Sequence, residues 1–484
     1  MEDVAIRDVV VVEGGGEPGR PGDVGIAHGR ISRVGSVGAA RREIDGRGLV
    51  LAPGFVDTHS HDDGAVLRHP DLWFKASQGV TTVVNGNCGS SAVGLVGGGA
   101  GLSLLDLQPT WQDLDGYRRE VAAAGCALNS MMLIGHNTLR ESVMGMERRP
   151  ASSDELERMR AEVRRAMEQG ACGFSVGLLF APGKWAPTDE LEALVAEVAP
   201  FGGIFACHIR DEFDDLLPSV QEVMDIGAAT DVPVHVSHHK AAGRRNWGKV
   251  EESLARIDEA VASGGDVTLD AYPYTAGSGP MAKYFEDGID VELAQVMRLA
   301  RCTDFPDYEG RMLTDIAERE GEAIEDLVGR ILAAPESRDT ICLQFLADEA
   351  DIERNLAHPL MMVGSDGIPQ LEGSPHPRLV GTFPRVLGEY VRERGVAPFE
   401  EMIRRMTSLP AARFGLVDRG RVAEGWHADL VLLDPERVRD TATYDAPLEV
   451  SEGIELVMVA GETVWTSEGA AAARPGSVLT YQRD

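Results

Sequence analysis

The segment GFVDTHSHDDG, residues 54–64, contains two histidines separated by a single residue, His59 and His61. Successive side chains of a β-strand point to opposite faces, so both imidazoles would project to the same side of a strand. The segment opens with a short apolar run after a glycine, as a short buried strand does. The same pattern, an apolar run with a polar end, recurs along the chain and determines the predicted fold.

Seven further apolar runs follow, and most are succeeded by segments with helical periodicity. The runs are GVTTVVNGNCG, ALNSMMLIGHN, ACGFSVGLLF, GGIFACHIR, VPVHVSHHK, DVTLDAYPY and HPLMMVGSDG. A segment such as DELERMRAEVRRAMEQG, residues 154–170, places apolar residues three and four positions apart and ends in glycine. Strands that are buried on both faces of a parallel sheet are continuously apolar. Eight strand–helix units favour an α/β fold of the (β/α)8 TIM-barrel type over an open doubly wound sheet.

The two ends of the chain differ from the middle. Residues 1–54 and 416–484 are rich in β-branched residues, alternating patterns and glycine, which indicates short strands and turns. We expect them to pair into one small β-sandwich domain, which leaves residues 55–415 for the barrel. The glycine-rich VVEGGGEPG, residues 11–19, is interpreted as a hairpin turn, because a phosphate-binding loop would have to open a helix.

Two connections in the barrel region are unusual. The segment of about residues 281–336, between strands seven and eight, is charged, helical and far longer than an ordinary loop. We interpret it as a helical insertion in the position of a lid. SSAVGLVGGGAGLSLL, residues 90–105, follows strand two and is predicted to be a mobile loop over the same rim.

Composition restricts the class of protein and its partners. A chain of 484 residues, 43% of them hydrophobic, can bury a large core. None of its apolar stretches approaches the length of roughly 20 residues that a helix needs to span a bilayer. Its six cysteines are scattered, so we expect no disulfide scaffold. A signal peptide would begin with basic residues and continue with apolar ones, whereas this chain begins with acidic residues, so we expect a cytoplasmic location. The net charge of −32 disfavours nucleic acid and anionic membranes as partners, so a small anionic substrate would need a basic pocket of its own.

Polar residues collect at the predicted carboxyl ends of the strands, which is where barrels of this type carry their active sites. At these ends lie His59, His61, Cys88, His208, His238, Lys240, Tyr272 and Asp366. A lone histidine or cysteine is usually structural, but here potential ligands stand at five strand ends that converge on one rim. Zinc accepts imidazole nitrogen, thiolate and carboxylate oxygen, and a catalytic site leaves one position for water. The pattern therefore predicts a zinc site at the rim.

Other histidines are given structural roles. His239 would point away from His238 if strand six continues, so it is left out of the ligand set. His136, near the end of strand three, fits a structural role and a supporting role beside the ligands equally well. The isolated histidines are interpreted as core or surface residues; they are His28, His69, His235, His358 and His427.

In their order and context, the motifs resemble those of the amidohydrolase superfamily and, more narrowly, its D-aminoacylase branch. PGFVDTHSHDD matches the histidine pair of the superfamily. The narrower branch is matched by NGNCG, CHIRDE, SHHKAAGRRNWGK, DAYPYTAGS, GSDG and HPRLVGTFPRVLG, so that the resemblance covers essentially the whole chain. Strand four, ACGFSVGLLF, lacks the metal-bridging lysine or glutamate of typical superfamily members, whereas Cys88 stands where the branch has its strand-two cysteine.

The resemblance implies two adjacent zinc sites of unequal strength. Cys88, His208 and His238 would hold one Zn2+ tightly, and His59, His61 and Asp366 would form a second site that is weak or empty. A bound zinc would polarise an amide carbonyl and lower the pKa of its water to about 7. Asp366 would take the proton of that water as general base and give it to the leaving amine as general acid.

The resemblance also implies the substrate. The implied reaction is hydrolysis of N-acyl-D-amino acids to a carboxylate and a free D-amino acid, and the expected selectivity for D over L rests on the resemblance alone. Lys240, Tyr272 and Arg378 would hold the α-carboxylate, with Tyr274 as a rival of Tyr272 because the two lie on the same face of the strand. Arginine is suited to a bidentate grip on a carboxylate.

The preferred side chain of the substrate is predicted from GSGPMAKYFEDG, residues 277–288. The resemblance implies that members acting on acidic substrates carry an extra arginine soon after the strand-seven motif, and this stretch contains none. Its one cation, Lys283, is followed by Glu286 and Asp287, which argues against an anion site. We therefore expect neutral or hydrophobic D-amino acids. Two other functions are compatible with the motifs: hydrolysis of a cyclic amide such as a hydantoin or dihydropyrimidine, and a barrel that binds a ligand without catalysis.

Overall fold

The computed structural model describes residues 1–95 and 109–482. The loop predicted over the rim, residues 90–105, lies outside these ranges from residue 96 onward. In the described ranges, no helix is both long enough and apolar enough to cross a membrane.

Eight parallel strands form the central sheet, and their order in the sheet follows their order along the chain. They are Phe55–Asp57, Val80–Asn85, Asn129–Gly135, Gly173–Gly177, Ile204–His208, Val234–Val236, Val267–Ala271 and Met361–Val363. The first and last strands meet through a parallel bridge between Ser60 and Gly367 and a 2.7 Å hydrogen bond from Asp366 N to His59 O. The predicted (β/α)8 barrel is therefore confirmed.

Helices cover the outside of the barrel and bury one face of each strand. They are Ala65–Arg68, Trp73–Ala76, Leu114–Ala124, His136–Met144, Ser153–Glu168, Thr188–Val195, Leu216–Thr230, Lys249–Ala262, Glu349–Ala357, Arg378–Arg385, the π-helix Val386–Glu393, Phe399–Met406 and Ser408–Arg413. Ser153–Glu168 shows how the sequence specifies them: a capping box of Ser152 and Glu155 starts the helix, and Met159 and Val163 bury its apolar face. With helices outside and side chains filling the interior, strands such as Val80–Asn85 are buried at every position.

The two chain ends form one sheet of nine strands. Its strands are Glu2–Val11, Arg20–Ala27, Arg30–Gly35, Ala40–Asp45, Val50–Pro53, Leu430–Leu433, Ile454–Val459, Glu462–Thr466 and Gly469–Ala470. The ends join where Val50–Pro53 pairs antiparallel with Leu430–Leu433, and the sheet has its own apolar core that includes Ile6 and Met458. The small β-domain thus draws on both termini as predicted, while its limits at residues 54 and 416 stay a prediction.

The insertion lies between the seventh and eighth barrel strands and has an apolar core of its own. Its helices are Met281–Tyr284, Val291–Gln295, Leu313–Glu320 and Ile324–Leu332. An antiparallel sheet formed by Ala276–Pro280, Met297–Arg301 and Ile341–Phe345 extends the insertion on both sides of the predicted range of about residues 281–336. The sequence indicated the helices but not this sheet, because strands of five residues between helical segments are too short to show a clear period of two.

Candidate metal and substrate site

The residues predicted for the tight zinc site come together at the carboxyl end of the barrel. His59 Nε2 lies 3.2 Å and His238 Nε2 lies 3.4 Å from the Sγ atom of Cys88. The possible ligand atoms of Cys88, His208 and His238 all lie within 4.8 Å of one another. Three residues that are far apart in the sequence therefore surround one small volume.

The residues predicted for the weaker site border the same volume. His61 Nε2 is 3.2 Å and His59 Nε2 is 3.5 Å from Oδ1 of Asp366. The imidazole of His59 thus contacts the Cys88 thiol as well as the Asp366 carboxylate. The two predicted sites are parts of one continuous cluster rather than separate groups.

The donor chemistry of the cluster fits a zinc ion. Burial disfavours the thiolate of Cys88, but His59 and His238 outweigh burial and hold the pKa of the thiol well below its ordinary value. Nε2 of His208 is buried and has no hydrogen-bond partner in the described part of the chain. A thiolate and an unpartnered imidazole nitrogen are the groups that zinc coordinates.

Three residues of the cluster have a left-handed backbone. The φ angle is +52° at Cys88, +34° at His238 and +50° at Asp366. Residues with a side chain rarely adopt positive φ, and such strain persists where surrounding contacts fix it, often at functional sites. One such contact at Asp366 is the 2.7 Å hydrogen bond from its own N to His59 O, which ties the two strand ends together.

A buried ion pair supports the turn that carries Asp366. Lys75 Nζ lies 2.6 Å from Asp57 Oδ2 and 2.5 Å from Ser365 Oγ, and all three side chains are fully buried. Asp57 also accepts hydrogen bonds from the N and Oγ atoms of Ser365, at 2.8 and 2.6 Å. This network could not be predicted from the sequence, because nothing in the four-residue helix that carries Lys75 indicates a partner 290 positions away.

Asp270, on the seventh barrel strand, is a further carboxylate that the sequence analysis missed. Its Oδ2 lies 3.2 Å from His59 Nδ1 and 2.8 Å from His235 Nε2, and its Oδ1 accepts a 2.9 Å hydrogen bond from His238 N. Carboxylates commonly hold the outer nitrogen of a metal-binding histidine in this way. The sequence did contain a sign that Asp270 faces the site: it precedes Tyr272 by two positions, and residues two apart in a strand lie on the same face.

Glu212, four residues after His208, was missed as well. Its Oε1 lies 3.0 Å from His238 Nδ1 and forms an ion pair with Lys240. Burial raises the pKa of Glu212, but Lys240, His208 and His238 outweigh burial and hold it well below its ordinary range. Lys240 lines the cleft as expected, and in this structure its ammonium is already paired with a carboxylate.

The other predicted substrate contacts lie beside Asp366. Arg378 is fully buried, with Nη1 2.9 Å from Asp366 Oδ2 and its guanidinium 4.6 Å from the centre of the Tyr272 ring. Lys240 Nζ lies 5.7 Å from the centre of the same ring. Tyr272 lines the cleft, whereas Arg378 and the rival Tyr274 are both buried outside the cleft lining. Both cations thus lie near the ring of Tyr272.

The histidines left out of the ligand set contact other groups. The two ring nitrogens of His239 lie 2.8 Å from Asn355 Oδ1 and from Ser253 Oγ. His136 Nε2 lies 3.1 Å from Glu190 Oε1, which gives this residue a structural partner away from the metal cluster. His235 is a fully buried core residue, and it shares Asp270 with His59.

Comparison with known proteins agrees with this geometry. The amidohydrolase family model matches residues 42–306 and 327–465 of the chain. The D-aminoacylase of Alcaligenes xylosoxydans xylosoxydans is 41% identical over 483 residues, which cover 99% of this chain and 97% of the relative. The chain belongs to the amidohydrolase family. The resemblance to the D-aminoacylase branch, inferred from motifs, is confirmed for this amidohydrolase.

Two solved structures cover nearly the whole amidohydrolase chain. A D-aminoacylase studied for its binuclear metal centre, with one-metal activation and second-metal attenuation, matches with a TM-score of 0.90 and 40% identity over 99% of this chain and 100% of that one. The N-acyl-D-glutamate deacylase of Bordetella bronchiseptica, complexed with zinc and a phosphonate mimic of the tetrahedral intermediate, matches with a TM-score of 0.92 and 39% identity over 99% of both chains.

The cleft of this amidohydrolase extends from the cluster of candidate metal ligands to the insertion. Its wall is partly apolar, and the apolar residues include Leu179, Phe180, Leu346 and Ile368. The insertion contributes Ser278, Pro280, Lys283 and Tyr284. A substrate in the cleft would therefore contact the cluster on one side and the insertion on the other.

Proposed function

We propose that this amidohydrolase hydrolyses the amide bond of N-acyl-D-amino acids and releases a carboxylate and a free D-amino acid. The observation that carries the proposal is the position of Cys88, 3.2 and 3.4 Å from two imidazoles and beside the Asp366 carboxylate, at the base of a cleft with cationic residues. Relatives that are 40% identical over 99% of the chain are an N-acyl-D-aspartate deacylase and an N-acyl-D-glutamate deacylase. They support a linear N-acyl amino acid over a cyclic amide.

The proposed cofactor is zinc. Cys88, His208 and His238 would hold one ion tightly, while His59, His61 and Asp366 would form a second site that is weak or empty. When bound, zinc supplies a Lewis acid for the amide carbonyl and lowers the pKa of water. The depressed pKa of the Cys88 thiol and the unpartnered Nε2 of His208 support the tight site.

Asp366 is the proposed general base and general acid. Burial raises its pKa, but Arg378 and His59 outweigh burial and hold the pKa well below its ordinary value, so the group is a carboxylate at neutral pH. It can therefore accept a proton from water while the water oxygen bonds to the acyl carbon. The same proton then passes to the amine nitrogen as the C–N bond breaks.

The proposed contacts of the α-carboxylate are Lys240, Tyr272 and Arg378. The ammonium of Lys240 and the guanidinium of Arg378 lie 5.7 and 4.6 Å from the centre of the Tyr272 ring, which supports a shared contribution of the three side chains to anion binding. The apolar wall of the cleft supports neutral or hydrophobic side chains on the D-amino acid. A cytoplasmic location stays a prediction from the sequence.

The test is hydrolysis of N-acetyl-D-leucine by the zinc-loaded protein, with N-acetyl-L-leucine, N-acetyl-D-leucinamide and hydantoin alongside. We expect turnover of the D-acid and its loss after a chelator is added. N-acetyl-L-leucine tests selectivity for the D-enantiomer, and N-acetyl-D-leucinamide tests whether the substrate needs a free α-carboxylate. Turnover of hydantoin alone would replace the proposal with a cyclic amidohydrolase, and no turnover of any substrate would favour a binding protein.

A further inference from the structure

A groove beside the cleft has no part in the reaction proposed above, and we call it the outer groove. It lies between the loop that follows the sixth barrel strand and the insertion, and has a volume of about 620 Å³. Its apolar lining consists of Phe213, Trp247, Leu293, Val296, Phe345 and Leu346. All six side chains are partly exposed to solvent. Clusters of exposed apolar side chains often mark a ligand-binding groove.

Trp247 presents an aromatic ring to the outer groove. It is the most exposed of the six tryptophans of the chain, with 39% of its surface accessible. Its indole N–H donates a 2.8 Å hydrogen bond to Leu346 O, and Gly243 N donates to the same oxygen at 2.9 Å. The polar atom of the indole therefore already has a partner, and the exposed part of the ring is an apolar surface.

Three of the four charged residues that line the outer groove already have contacts within the protein. Arg245 Nε lies 2.8 Å from Asp214 Oδ1, and the guanidinium of Arg244 lies 5.6 Å from the centre of the exposed indole ring. Asp290 caps the helix Val291–Gln295 through its side chain. Because these charges are engaged at the rim, the floor of the groove fits a hydrocarbon better than an ion.

The outer groove continues the cleft that contains the candidate metal ligands. Phe213 and Leu346 line both the groove and the cleft. The cleft itself has a volume of only about 70 Å³, so a ligand longer than the cleft can pass these two residues and enter the groove. Of the groups on an N-acyl-amino acid, the acyl group is the one that can be extended by many methylene groups.

We propose that the outer groove binds the hydrocarbon chain of a medium-length acyl group, such as octanoyl, on the N-acyl-D-amino acid. The inference rests on the proposed deacylase function and adds a site for the acyl chain, which that function leaves unspecified. Each methylene group that moves from water onto the apolar floor favours binding by at most about fourfold.

The test uses N-alkanesulfonyl-D-leucines, in which a sulfonamide that resists hydrolysis replaces the amide. Isothermal titration calorimetry with the zinc-loaded protein compares the methanesulfonyl and octanesulfonyl compounds. We expect wild-type protein to bind the octanesulfonyl compound about tenfold to a hundredfold more tightly, because several methylene groups leave water.

Two variants assign this preference to the outer groove. Trp247→Ala removes the exposed ring, and Val296→Asn makes the floor more polar while Val296 O, which accepts a 3.0 Å hydrogen bond from Phe345 N, is kept. Each should lower the preference for the long chain by about threefold to tenfold and leave the affinity for the methanesulfonyl compound unchanged. Val450→Asn is the matched control, because Val450 is a valine with 39% of its surface exposed and lies outside both the groove and the cleft.

Equal affinity of wild-type protein for the two compounds, or a preference that persists in both variants, would show that the inference is wrong. Turnover of N-acetyl-D-leucine tests the proposed function separately. Turnover without a chain-length preference would keep the deacylase function and overturn the acyl-chain site. A preference without turnover of any N-acyl-D-amino acid would overturn the function and keep the groove as a site for an alkyl chain.

Discussion

Asp270 and His59 are held side by side inside the barrel, with Asp270 Oδ2 3.2 Å from His59 Nδ1. The other ring nitrogen of His59 faces Cys88 Sγ, also at 3.2 Å. A carboxylate that contacts Nδ1 fixes the tautomer and the orientation of the imidazole ring, and makes Nε2 a better metal ligand. The same aspartate holds the backbone of His238, so one residue orients two potential ligands.

Asp270→Asn should therefore weaken metal binding without removing a ligand. We expect zinc affinity to fall by about tenfold to a hundredfold, as for other outer partners of metal-bound histidines. Competition with a fluorescent chelator measures the change. Asp266→Asn is the control, because this neighbouring aspartate is exposed and pairs with Arg413 outside the cleft. Equal zinc affinity for wild-type protein and Asp270→Asn would show that Asp270 has no part in metal binding.

Cys88→Ala should abolish tight zinc retention, because it removes the one thiolate of the cluster. Metal content after dialysis, determined by mass spectrometry, checks this expectation. Cys207→Ala is the matched control: Cys207 is buried beside His208, yet burial raises the pKa of its thiol and it does not line the cleft. Zinc that stays bound to Cys88→Ala at the wild-type level would contradict the ligand assignment.

Asp366→Asn should lower kcat by about a hundredfold to ten-thousandfold while tight zinc binding persists, because an amide cannot take up the proton of water. Steady-state kinetics with N-acetyl-D-leucine and a parallel zinc determination separate loss of proton transfer from loss of metal. A fall in kcat that matches a fall in zinc content would assign Asp366 to metal binding rather than to proton transfer.

Stability at low pH should depend on Glu190, which lies in a buried cluster with Arg140 and His136. Burial raises its pKa, but His136 and Arg140 outweigh burial and lower the pKa from 4.5 to about 2. Because the folded-state pKa is lowered, the stabilisation is complete above pH 4.5 and is lost as the pH falls towards 2. A shift of this size corresponds to about 3 kcal/mol in the free energy of unfolding.

Glu190→Gln should therefore destabilise the protein at pH 7, and its difference from wild type should shrink between pH 4.5 and 2. Urea unfolding as a function of pH measures both quantities. Glu157→Gln removes an exposed ion pair with Arg160 and should change the free energy of unfolding by less than about 1 kcal/mol. A pH-independent difference for Glu190→Gln would show that shape, rather than charge, stabilises the cluster.

The sequence anticipated the parts of the site that are carried by short local patterns. His59 and His61 alternate along one strand, and Cys88 and Asp366 follow apolar runs, so their positions at strand ends could be inferred without a structure. Asp270, Glu212 and Lys75 were missed although each contacts the site or its support. The role of a buried carboxylate or ammonium can be recognised only when its partner is known. The partners of these three residues come from other strands and loops.

The sequence by itself determined the barrel, because eight buried strands must be apolar and must alternate with amphipathic helices. It also determined which residue types stand at the strand ends. Only the tertiary structure decided how the charges pair: Glu286 and Asp287 lie next to Lys283 in the chain but bind Lys184, and Lys240 binds Glu212. Hydrophobic periodicity depends on residues that are close together in the sequence. Electrostatic pairing depends on distances of a few ångströms between segments that come together only when the chain folds.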